Sequence, residues 1–178
     1  MIFSILIMVA LILFVNGLVV LGKFGGKQVA VLNVAVGSLI AMMALYVGFA
    51  DALKGVGPTQ SFMALASCLT FACTYFLLAG EIYAGSDFKC LGWYCLPAGI
   101  IMFLISLGFM HILGTALIYS TQFALFWLLW AILFWLFWGC FALGKVGAKF
   151  TGYYTLFVAL FTALYPAIAF FNLGRIGW

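Results

Sequence analysis

Charge is what this sequence has least of. Of its 178 residues 6% are charged, with three acids (Asp51, Glu81 and Asp87) against seven bases. A soluble domain carries about 25% charged residues, so this chain has no polar face to turn towards water. The net charge of +4 includes no basic block or tail, which argues against nucleic acid as a partner. Histidine occurs once, at His111. No histidine–carboxylate cluster, no nucleophile beside a base and no phosphate loop can be picked out, so the chain does not read as an enzyme and no cofactor is expected. The cysteines, Cys68, Cys73, Cys90, Cys95 and Cys140, form no Cys-x-x-Cys pair. They read as small apolar side chains rather than metal ligands or disulfide partners.

What fills the chain instead is apolar surface: 69% of residues are hydrophobic, 19% are aromatic and the mean hydropathy is +1.36. A membrane β-barrel would show alternating polar positions, and the apolar runs here are unbroken. The expected class is therefore all-α integral membrane. Charges and turn residues divide the chain into six spans, at about 2–22, 29–50, 61–84, 93–113, 120–143 and 152–172, each near the ~20 residues that cross a bilayer. The first, "IFSILIMVALILFVNGLVVLG", has no small-residue cleavage site and is expected to stay as a span. The fourth and fifth are separated by "GTALIYSTQ", Gly114 to Gln122. Pro97 is placed in the first turn of span four, where a missing N–H does little harm. Pro166 falls inside span six and should kink it.

One phrase recurs. "LGKFGGK" runs from Leu21 to Lys27 and "LGKVGAK" from Leu143 to Lys149, with a weaker form, "AGSDFK", from Ala84 to Lys89. Glycine would end each helix and lysine would hold each turn at an anionic surface. The chain then reads as three hairpin repeats near 60 residues apart, the alternative being that any short inner turn draws on glycine and lysine. Lys23, Lys27, Lys89, Lys145 and Lys149 fall on one side of the membrane, Lys54 and Arg175 on the other. The lysine-rich side should be cytoplasmic, which puts both termini outside the cytoplasmic (inner) membrane.

Few polar groups lie at membrane depth. Thr70, Thr74, Thr155 and Thr162 can bond their own helix backbone. Asn16, Asn33 and Glu81 sit near helix ends, and His111 near the outer end of span four. Glu81 reads as an interfacial or helix-pairing residue, with a proton relay as the alternative. A coupled pump would need a chain of such groups. Span five, "FALFWLLWAILFWLFWGCFALGK", is the other signal. Trp127, Trp130 and Phe134 follow the i, i+3, i+7 spacing of one helix face. Tryptophan prefers membrane interfaces, yet several here lie towards the middle. Two readings stay open: packing against lipid or a neighbouring subunit, favoured for Trp135 and Trp138, or, for the Trp127–Trp130–Phe134 face, the wall of a narrow slot. Aromatic faces would stack on a flat, uncharged polar solute. An ion would lose far more on dehydration with no fixed charge to offset it.

Asn16–Gly17, "AVLNVAVG" (Ala30 to Gly37), "GWY" (Gly92 to Tyr94), "WLLW" (Trp127 to Trp130), "GKVGAKFT" (Gly144 to Thr151) and "TALYPA" (Thr162 to Ala167) together resemble the AmiS/UreI family of urea and short-chain amide channels, over nearly the whole chain. The resemblance implies a twisted bundle of six transmembrane helices, one channel domain over residues 1–178, and a homo-hexamer in the lipid bilayer with a pore in each protomer. It places Leu6, Val9 and Leu13 at an outer constriction. Trp127 and Trp130 fall at an inner one, with Leu133 one turn on and Phe123 counted in the lining of the same helix. Where urea-conducting members carry a third Trp, a Tyr and a Glu, this sequence is matched by Phe134, Leu77 and Val158, a more apolar slot that leaves room for acetamide-like permeants. The acid-gated branch has histidines in a long loop between spans two and three. Here that loop, "DALKGVGPTQ", has none. The implied function is passive passage of urea or short-chain aliphatic amides, without an acid gate, supplying a cytoplasmic urease or amidase. The alternative is a non-transporting membrane scaffold or partner subunit that packs through its aromatic helix.

Overall fold

Each apolar run becomes a helix in the computed structural model, which describes residues 2–23, 25–53, 58–112 and 120–173. The helices are α1 (Ile2–Val20), α2 (Lys27–Leu53), α3 (Pro58–Ala84), α4 (Lys89–Phe109) and α5 (Thr121–Phe137, extended by a π-helical turn, Trp138–Ala142). α6 runs through Ala148–Val158, a π-helical stretch Ala159–Leu164, and Tyr165–Leu173. Five helices among the described residues are long and apolar enough to cross a membrane, and Ile5–Val20 is a shorter apolar helix. The architecture is that of an all-α, multi-pass membrane protein. Lys54, Arg175 and most of the "GTALIYSTQ" segment lie outside the described residues.

The recurring phrase is a helix stop. Gly22, Gly85 and Gly144 all adopt a left-handed backbone, at φ 69°, 64° and 62°, which glycine takes without steric strain. Behind the first two the closing bonds are the same: Lys23 N–H reaches Leu18 O at 3.0 Å and Ser86 N–H reaches Glu81 O at 3.1 Å. Bonds of this span satisfy carbonyls that the helix leaves bare. The third copy is one residue looser, Lys145 N–H meeting Gly139 O at 2.9 Å, because the π-turn before it widens the helix.

Two helices begin four residues before the expected position, α6 at Ala148 instead of 152 and α4 with a consequence for its proline. α4 begins at Lys89, not 93, so Pro97 stands in the helix interior and not in its first turn. The cause is a cap from another helix: the Glu81 carboxylate of α3 accepts from Leu91 N–H at 3.0 Å, which satisfies an early donor and lets the helix start sooner. Pro97 points outwards, on the exposed surface.

Every helix packs against the next, and α6 closes back on α1, so the six form a ring. The tightest seams are α2–α3, α4–α5 and α1–α6, between hairpins rather than within them. Small residues set these seams, as in other membrane helix pairs. A Cβ on Gly17 would lie 3.2 Å from Gly152 O, and one on Gly152 would lie 3.1 Å from Gly17 O. Gly37 abuts Ala72 and Tyr75, and Gly99 abuts the Trp135 ring. Within the first hairpin the lock is polar. Asn16 and Asn33, both buried, exchange side-chain amide bonds of 2.9 Å in each direction, and Asn33 also donates to Val29 O at 2.9 Å. Interhelical bonds of this kind contribute about 0.6–2 kcal/mol each in membranes. The outer surface of the ring is apolar, with Met42, Tyr46 and Phe49 of α2 and Phe150, Tyr153 and Phe161 of α6 all exposed.

Candidate functional site

The ring encloses one continuous apolar cluster to which all six helices contribute. Val9 and Leu13 of α1, Trp130, Leu133 and Phe134 of α5 and Val158 of α6 are buried in it. Leu6, Leu77 and Trp127 are partly buried and packed against it. Phe123 connects through a neighbour: its ring lies 5.4 Å from Phe109, which stacks on Trp127 at 6.4 Å and 11°. The residues singled out on four separate helices, α1, α3, α5 and α6, thus converge on this cluster, Phe123 reaching it through Phe109 and Trp127.

Trp130 is the most constrained of them. Its indole N–H donates to Thr162 Oγ1 at 2.6 Å, and Thr162 in turn donates to Val158 O at 2.6 Å. Trp127 meets it edge-on at 4.7 Å and 82°, Phe71 at 5.0 Å and 83°, and Phe71 also contacts Phe134 at 5.3 Å. Edge-to-face contacts of this geometry favour a fixed ring. The Thr162 position depends on the local helix. Pro166 removes the donor that would bond Thr162 O, and the chain answers with the wide turn Ala159–Leu164, in which Tyr165 N–H reaches back to Leu160 O. The departure expected at Pro166 therefore takes the form of a π-bulge one turn earlier, and it is this bulge that carries the Thr162 hydroxyl.

Two residues that the sequence reading did not place here also face the cluster. Tyr75 is 1% exposed and its hydroxyl has no hydrogen-bond partner. Its signal was available in the i, i+4 spacing from Phe71. Glu81 is buried, with Oε1 on Leu91 N–H and Oε2 without a partner. Trp135 and Trp138 turn towards α4, Trp135 against Gly99 and Phe103 and Trp138 against Trp93 at 6.2 Å. The charged contacts lie elsewhere, at the turn before α4. There Lys89 and Asp87 pair at 2.7 Å on the exposed surface, and the Lys89 hydrogen bond holds the Asp87 carboxyl below its ordinary range. His111 is exposed, with φ 58° just past the end of α4. Among the described residues no group of three or more His, Cys, Asp or Glu side chains is arranged to hold a metal.

Chemically, the arrangement is a stack of fixed aromatic edges and aliphatic walls. Two buried oxygens, the Tyr75 hydroxyl and Glu81 Oε2, remain free to bond a polar guest. The family pattern of AmiS/UreI transporters matches residues 1–173. AmiS2 of Rhodococcus erythropolis, a protein assigned as a transporter, is 27% identical over 163 residues, covering 91% of this chain and 75% of that protein. The crystal structure of the urea channel from the human gastric pathogen Helicobacter pylori superposes with a TM-score of 0.82 at 26% identity, covering 99% of this chain and 100% of that one. The cryo-electron microscopy structure of the Helicobacter pylori urea channel in its closed state gives a TM-score of 0.80 at 26% identity, covering 97% and 98%.

Proposed function

The chain belongs to the AmiS/UreI family of transporters, and on that premise we propose that it is a passive channel for urea and short-chain aliphatic amides. The observation that carries this reading is the clamped Trp130 ring inside a closed ring of six helices, met edge-on by Trp127 and Phe71, with the unpaired Tyr75 hydroxyl in the same cluster. A flat neutral amide stacks on such a ring and finds a hydrogen-bond partner. A cation or anion finds mostly apolar walls there. The lining we assign is Leu6, Val9 and Leu13 towards the outer side. Further in, Phe123, Trp127, Trp130, Leu133, Phe134, Leu77 and Val158 follow, with Tyr75 added. Because Phe134 and Val158 are apolar, acetamide is expected to pass about as readily as urea.

Purified protein in proteoliposomes should raise urea and acetamide flux above protein-free vesicles. Failure with both would leave the non-transporting membrane subunit as the better reading. We further assign no acid gate: histidine is the side chain whose ordinary pKa lies in the range of mild acidification, and the α2–α3 connection contains none. Flux should therefore change by less than about twofold between pH 5 and pH 8. A channel shut at pH 7.5 and open at pH 5 would reject that part.

The lysine-bearing turns are assigned to the cytoplasmic face of the cytoplasmic membrane, with both termini outside, and the whole chain to one channel domain. In a cysteine-free background, cysteine at Gly25 or Gly147, both exposed and with open space at the Cβ position, should react only with membrane-permeant reagents. Reaction with an impermeant maleimide in intact cells overturns the orientation. The exposed apolar exterior is assigned in part to contacts in a homo-hexamer, and a detergent-corrected light-scattering mass other than six protomers counts against it. A cytoplasmic urease or amidase would consume what enters.

A further inference from the structure

Near the turn that joins α3 to α4 a buried carboxyl group has one oxygen engaged and one idle. Glu81 is 8% exposed. Its Oε1 accepts from Leu91 N–H at 3.0 Å, and its Oε2 is buried with no partner. The group lies beside the cluster that holds Trp130, against two of its members. Leu91 and Cys95 are buried members of that cluster, Leu77 and Leu78, one turn earlier on α3, pack against it, and Cys95 lies within electrostatic reach of Glu81. The nearest basic side chain in sequence, Lys89, is committed to Asp87 on the exposed surface. A helix N-terminus favours negative charge beside it, which accounts for Oε1. It does not account for Oε2, and a buried acceptor left without a donor is destabilising, more so when charged.

We propose that Glu81 Oε2 is a recognition point for the N–H groups of the permeating amide, at the inner end of its path. The proposal rests on the channel reading above and deepens it: the protein selects amides that carry N–H over those that do not. A neutral primary amide or urea supplies the missing donor without adding a charge to an apolar enclosure. Stacking on Trp130 selects for flatness alone and does not distinguish N–H from N-methyl.

The test compares acetamide, with two N–H groups, with N,N-dimethylformamide, with none. Flux of each through proteoliposomes is corrected for protein-free vesicles. Glu81→Gln keeps an oxygen for Leu91 N–H and replaces the idle acceptor with a donor. It should lower the acetamide-to-dimethylformamide flux ratio by about three- to tenfold, the effect of losing one hydrogen bond. Glu81→Met, of similar length but with neither oxygen, should lower the ratio too, and should also lower the melting temperature because Leu91 N–H loses its acceptor. An assembled Glu81→Gln protein with the parent ratio, beside a destabilised Glu81→Met that keeps it as well, shows a helix cap only and overturns the inference. A parent that carries neither acetamide nor urea overturns the channel reading itself, whatever the variants do; for a parent that carries urea alone, the same comparison is made with urea against tetramethylurea.

Discussion

Trp130→Ala is expected to change which amides pass as well as how fast they pass. The Trp130 ring is 5% exposed, is met edge-on by Trp127 and Phe71, and is tied by its N–H to Thr162. Removing it opens the aromatic wall that Trp127, Phe71 and Trp130 form together. Propionamide flux should rise relative to urea by about tenfold, the effect of ~1.4 kcal/mol of lost discrimination. In a soluble core a Trp→Ala change costs about 3–5 kcal/mol, so assembly must be verified by size exclusion before flux is read. Thr162 provides a gentler probe. Thr162→Val keeps the shape but removes the acceptor for Trp130 N–H, and it should shift the propionamide-to-urea ratio in the same direction by a smaller factor. Thr162→Ser keeps the hydroxyl and should restore the parent ratio. If assembled Trp130→Ala and Thr162→Val both hold the parent fluxes and ratio, the ring only fills space.

Helix stops were legible at Gly22, Gly85 and Gly144, because the signal is local: an apolar run, then a residue that takes positive φ, then lysine. The start of α4 was not, since the carboxylate that accepts from Leu91 N–H belongs to Glu81, ten residues earlier on another helix. The Asn16–Asn33 exchange and the Trp130–Thr162 bond join residues 17 and 32 positions apart. Helical spacing shows that Asn16 and Asn33 lie near helix ends. It does not show that the two ends meet face to face. The same gap separates Leu77 from Tyr75. Two positions along a helix turn a side chain by roughly 200°, and here Tyr75 is wholly enclosed where Leu77 is half-buried. The Trp127–Trp130–Phe134 face, by contrast, could be read from spacing alone. Which neighbour it met depended on ring closure through Gly17 and Gly152, a contact between the two ends of the chain. The family resemblance supplied the six-helix bundle that spacing could not close, and the matching transporter pattern and the superposed urea channels agree with it.

Gly92→Ala should be among the most damaging single-methyl additions in the protein. A Cβ there would lie 2.6 Å from Ala142 N, 3.0 Å from Ala142 Cβ and 3.1 Å from Ala142 Cα. Two of these three atoms are backbone, in the π-turn that ends α5, so no side-chain rotation relieves the clash. The helices cannot easily part either. Phe88 packs on Phe141 at 5.5 Å and Trp93 on Trp138 at 6.2 Å, on residues adjoining the contact. Overpacking of this kind costs about 1–3 kcal/mol for modest insertions, and Gly92→Leu should prevent assembly outright. Gly80, on α3, is the matched control: it is exposed and helical, and nothing lies within 4 Å of its Cβ position. Gly80→Ala should be neutral or stabilising by up to about 1 kcal/mol, since alanine is the better helix former. Melting temperatures in detergent decide between them, and equal temperatures for the two variants would show that the α4–α5 seam yields more readily than its spacing implies. The damage should also stay local. Ala142 and Trp130 are twelve residues apart along α5, about 18 Å at 1.5 Å per residue. Gly92→Ala protein that still assembles should therefore keep the parent propionamide-to-urea ratio set at Trp130. Its acetamide-to-dimethylformamide ratio should fall, because Leu91 and its bond to Glu81 sit beside the added methyl.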